Sequence, residues 1–127
     1  MVLIDANPII RIILNDNAEM RNTASEFIKS NTVLIRNEVM AEIAYVLAKV
    51  YNIERDAICK CISSIMLTKN ITVESQSVME CALDTFKDST LDFVDCLLYA
   101  YHLIDENTIF TFDKKLNNRI KKTLDKQ

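Results

Sequence analysis

The chain has no glycine and no tryptophan, a single proline and a single histidine in 127 residues. The absence of glycine excludes the phosphate-cradling loops of nucleotide sites, GxGxxG and the P-loop alike, because only glycine lets backbone approach phosphates so closely. One histidine, His102, leaves Ser-His-Asp and Cys-His schemes unfavoured, and zinc sites built on histidine with it. No apolar run reaches the roughly 18 residues needed to span a bilayer, and no leader pattern precedes the first apolar segment. The expected address is therefore the cytoplasm.

What is present is an ordinary globular balance, half hydrophobic and a quarter charged, in a length suited to one domain over residues 1–127. Cys59, Cys61, Cys81 and Cys96 lie in apparently helical segments without CxxC spacing and read as reduced core thiols. The net charge of −3 hides an asymmetry. Residues 1–113 carry 9 basic and 17 acidic side chains, whereas residues 114–127 carry 6 basic and 1 acidic. Lys114, Lys115, Arg119, Lys121, Lys122 and Lys126 form a cationic tail suited either to a polyanion or to the carboxyl-terminal dipole of a solvated helix.

Short apolar runs alternate with helical patterns. Met1–Ile4, Thr32–Ile35, Ile71–Val73 and Thr108–Phe112 read as strands. Helices are expected from Asn7-Pro8 to Leu14, over 18–29, from a cap at Asn37 with a stripe of Val39, Met40, Ile43, Val46, Leu47 and Val50, and over 54–68. Two more run from a cap at Ser75 to Lys87 and from Ser89–Asp92 to Ile104, and a basic helix follows the last strand. Such alternation predicts an α/β fold with a mostly parallel sheet covered on both faces.

Asp5 and Asp113 each follow an apolar run, where strand ends of open α/β sheets collect ligands. Either acid alone is also explained as a helix cap. Glu42 stands among Met40, Ala41, Ile43 and Ala44, so its carboxylate must leave by an edge or find a partner. Asp92 and Asp95 share a helix face, the first near enough to the helix start for the dipole to account for it. Carboxylates brought together repel unless a cation intervenes, and all-oxygen ligation suits magnesium or manganese.

Leu3-Ile4-Asp5-Ala6-Asn7-Pro8-Ile9-Ile10-Arg11, the Ala41–Leu47 helix with Glu42, Leu91–Ala100 with Asp92 and Asp95, and Thr111-Phe112-Asp113 together resemble the PIN-domain family, in the family's order. Size and simplicity are similar to its toxin branch, the VapC-like ribonucleases encoded with a VapB-type antitoxin. The resemblance implies a three-layer α/β/α sandwich and magnesium-dependent endonucleolytic cleavage of RNA, with manganese as a substitute. Asp5, Asp95 and Asp113 match the family's metal-binding aspartates, and Glu42 its acidic helix residue. Asn7 and Thr111 match small polar supporting positions, and Asp92 a position acidic in one subgroup. A homodimer is implied as well. Arg11, Lys114 and Lys115 are candidate phosphate contacts. The rival reading is an inactive scaffold of the same fold that binds RNA or a protein partner without cutting.

Overall fold

The computed structural model describes residues 1–125, so Lys126 of the cationic tail lies outside the described residues. The chain forms two compact units, Met1–Glu74 and Ser75–Gln127. In the first, β1 (Val2–Leu3), α1 (Ala6–Leu14), α2 (Ala18–Ser30), β2 (Val33–Ile35), α3 (Asn37–Lys49), α4 (Arg55–Met66) and β3 (Ile71–Val73) follow in order. The strands form a parallel sheet of order β1-β2-β3, with Val2 opposite Val33 and Val33 opposite Ile71. Parallel strands need crossovers, and the helices between them supply these. Val33 and Ile35 of β2, Ile9 of α1, and Met40, Ile43 and Leu47 of α3 are fully buried. Each such side chain contributes about 1.5–3 kcal/mol relative to exposure.

The second unit holds α5 (Gln76–Asp88), α6 (Phe93–Asp105) and α7 (Lys114–Asp125). Phe86 and Phe93 meet edge to face across α5 and α6 at 5.5 Å, an arrangement aromatic quadrupoles favour. Ser75 caps α5 as expected, its hydroxyl accepting from the Val78 amide. All four cysteines are free thiols. No described helix is long and apolar enough to cross a membrane.

A chain without glycine must place other residues where the backbone turns left-handed. Asn15, Asn52, Asn70 and Glu106 have positive φ, and three of the four are asparagine, the residue that best tolerates αL after glycine. Asn15 and Glu106 end α1 and α6 in this way.

Three local expectations are corrected. First, α1 starts at Ala6 with Asp5 as its N-cap, so Asn7 and Pro8 lie inside the first turn. Proline is tolerated there because first-turn amides have no intrahelical acceptor. Second, Asn37 is the first residue of α3, not its cap; its amide donates instead to Glu74 Oε1 at 2.7 Å, a partner 37 residues away. Third, Thr108–Phe112 joins no strand among the described residues. Phe110 and Phe112 are 86% and 88% exposed and rest edge to face on each other at 5.3 Å. The segment has strand composition but is hydrogen-bonded to no sheet edge, and a strand exists only through its ladder.

Candidate active site

Asp95 lies on α6 between the buried positions Phe93, Cys96, Leu97 and Tyr99, which leaves its carboxylate at the margin of the apolar stripe and half-buried. Asp92 occupies the N-cap position of α6 but makes no capping hydrogen bond, so both of its oxygens stay free of the helix start. Asp113 precedes α7, and its Oδ1 accepts from the Leu116 amide at 2.8 Å. The Asp113 amide donates to Thr111 Oγ1 at 3.0 Å, and Asn117 Nδ2 donates to the Thr111 carbonyl at 2.8 Å. Thr111 thus fixes the turn that delivers Asp113. The expected place of Asp113 at a strand end is replaced by this cap, since no strand precedes it.

Asp92, Asp95 and Asp113 line one hollow of about 300 Å³ together with Thr90, Leu91, Lys114 and Lys115. Burial first, then the charges of Asp113 and Asp92, push the Asp95 carboxyl above its ordinary range. Desolvation and like charges both disfavour the ionised form, and a cation placed there would relieve both. The three carboxylates are not drawn close enough to ligate one ion by themselves, and no such group of three His, Cys, Asp or Glu occurs among the described residues.

The raised Asp95 pKa has a measurable consequence. Below 3.8, the ordinary value, folded and unfolded chains both hold the proton and no penalty exists. As pH rises through the folded-state value, the folded chain bears the cost of a charge the unfolded chain carries freely, so stability falls and the deficit persists at neutral pH. Asp95→Asn is therefore expected to raise the Tm in EDTA at pH 7, by a small amount because solvent screens a partly exposed carboxylate. The gain should vanish near pH 3.5, and thermal melts at the two pH values check it.

Asp5 and Glu42 belong to the first unit. Asp5 follows β1 after one residue, Ile4, and its Oδ1 accepts from the Ala6 amide at 2.8 Å. It lines a hollow of about 460 Å³ with Asn7, Arg11, Leu3, Met20 and Phe27. Glu42 leaves the α3 stripe by its edge and is exposed. The Arg11 guanidinium is already engaged, by the Tyr51 hydroxyl at 3.0 Å and by Asp16 at 2.7 Å, and the Tyr51 bond first, then the Asp16 charge, raise its pKa. His102 Nδ1 lies 2.9 Å from the Asn107 carbonyl at the end of α6, a local contact that accounts for it.

Sequence reasoning did not assign Thr90 and Leu91 as lining residues, because neither a helix-start pattern nor a motif shows which loop residues border a hollow. No curated protein and no solved structure matches the chain. The model of the PIN domain matches residues 2–122, nearly the whole length, and the chain belongs to the PIN-domain family.

Proposed function

We propose that this protein, acting as one domain over residues 1–127, is a magnesium-dependent endoribonuclease, the toxin of a pair with a VapB-type antitoxin, working as a homodimer in the cytoplasm. PIN domains are generally metal-dependent nucleases and commonly use divalent ions. The observation that carries the reading is the hollow that Asp92, Asp95 and Asp113 line together with Lys114 and Lys115, with Asp95 short of compensating charge.

The residues fit a hard cation. Their donors are all oxygen, and magnesium keeps several waters while taking only one or two carboxylates directly, so a loosely gathered acidic set suits it. Magnesium, or manganese in its place, supplies a Lewis acid that lowers the pKa of water and takes up charge on the phosphoryl oxygens. Asp95 and Asp113 would hold the ion, Asp92 would add negative potential, and Thr111 orients Asp113. Asp5 as a further ligand, Glu42 as the acid acting on the attacking water and Asn7 as support rest on the family motifs. Water oxygen bonds to phosphorus as the bond to the 3′ oxygen breaks; one water proton ends on the 3′ oxygen and the other stays on the phosphate or passes to solvent, leaving a 3′-hydroxyl and a 5′-phosphate. Lys114 and Lys115 attract the substrate phosphates; the pairing of Arg11 with Asp16 supports a structural part for that residue instead.

The looseness of the acidic set also supports a second reading, a scaffold that binds RNA or a protein without cutting it. Purified protein incubated with structured RNAs in magnesium, manganese or EDTA, beside Asp5→Asn, decides between them. Cleavage that needs metal and is lost in the variant is the expected result. Intact RNA in every lane, with no magnesium uptake by calorimetry, leaves the scaffold.

A further inference from the structure

A second hollow of the same unit, about 550 Å³, lies between α7 and the Ser89–Leu91 loop. It shares Thr90, Leu91 and Lys115 with the acidic hollow, so the two adjoin. Lys115, Arg119 and Lys122 line it from α7. Spaced four and then three residues apart, they fall on one helix face along about 10 Å of axis. None of the three is in an ion pair among the described residues. Lys115 and Lys122 are exposed and Arg119 is half-buried.

Arg119 is placed by its surroundings. Its guanidinium lies over the ring of Tyr99 at 5.1 Å, and Tyr99 is buried and tied by its hydroxyl to Thr123. A planar cation held on an aromatic face keeps its donor edge available for phosphate oxygens. Thr90 and Asn118 add neutral polar groups to the same hollow, whereas the Ser89 hydroxyl donates to the Thr85 carbonyl at 2.7 Å. Three cations outside any ion pair, set beside hydroxyl and amide groups and an aromatic ring, match the charge and the bases of a phosphodiester chain.

We propose that this hollow is a phosphate-binding subsite for single-stranded RNA, holding the nucleotides on one side of the bond presented to Asp92, Asp95 and Asp113. Arg119 is the fixed contact, and Lys115 and Lys122 are the flexible ones. The proposal rests on the nuclease reading for its substrate, but its test does not depend on cleavage.

Binding of a fluorescent single-stranded RNA to the full chain is measured by anisotropy in EDTA across a potassium chloride series. Lys115→Ala/Lys122→Ala is expected to lower the slope of log affinity against log salt by about 1.4, since each phosphate contact on a single strand contributes roughly 0.7. Arg119→Gln should lower it by a further contact, with circular dichroism confirming that α7 persists. Lys121→Ala, which removes an equal charge from the same helix outside the hollow, should cause a smaller change than Lys122→Ala. An unchanged slope in the double variant, equal effects of Lys121→Ala and Lys122→Ala, or no RNA binding by the unaltered chain at low salt overturns the subsite. RNA binding with the expected slopes but no cleavage in magnesium sinks the nuclease reading and leaves the subsite standing.

Discussion

Asp113→Asn is expected to leave the protein as stable as before and to reduce metal-dependent RNA cleavage by about 10²-fold or more. The reasoning turns on the two tasks assigned to this carboxylate. As a cap it accepts from the Leu116 amide through Oδ1, and asparagine serves equally well at such a position because its side-chain carbonyl accepts the same bond. As an anionic ligand it has no substitute in asparagine, whose neutral amide weakens attraction for a hard cation. Asp113→Ala removes both functions and should cost about 1 kcal/mol of stability in addition. Urea denaturation beside single-turnover cleavage separates the two. Equal activity in Asp113→Asn would confine Asp113 to capping and remove it from the chemistry.

The same contrast marks what was legible in the sequence. Patterns set by neighbours along the chain survive: Ser75 caps α5, β3 occupies Ile71–Val73, and Met40, Ile43 and Leu47 form the buried stripe of α3. Patterns that depend on a distant partner do not. Asn37 has a good cap residue's chemistry, yet Glu74 takes its amide and α3 starts there. Thr108–Phe112 has strand composition, but composition carries no information about which sheet edge would receive it.

The acids divide along the same line. Periodicity placed Asp92 and Asp95 on one helix face, and the structure adds Asp113 to their hollow. Capping predicted from the local sequence is also real for Asp5 and Asp113, so the two explanations offered for these residues do not compete. A carboxylate has two oxygens, and a cap needs only one of them. The cationic tail could be read from composition as either a solvated helix or a polyanion surface. Its division into a face lining a hollow and a face turned elsewhere required knowing which residue of α7 is buried.

That residue is Leu116, the one buried side chain of α7 among the described residues and fully enclosed. Leu116→Ala is expected to destabilise the protein by about 2–4 kcal/mol, from lost transfer energy plus an incompletely collapsed cavity. The effect should extend beyond stability. The Leu116 amide is the donor that fixes Asp113, and the next residue, Lys115 on its amino-terminal side, lines both hollows. With its anchor trimmed, a strongly basic helix has little to hold it on α6 except the stacking of Arg119 on Tyr99. Hydrogen exchange should therefore accelerate in α7 before it does in α5 or α3, as local opening outpaces global unfolding. Cleavage and salt-dependent RNA binding should weaken together, in contrast to Asp113→Asn, which should spare binding in EDTA. Uniform loss of protection through every helix would instead make Leu116 part of a single cooperative core, with the acidic hollow no more sensitive to it than the rest of the fold.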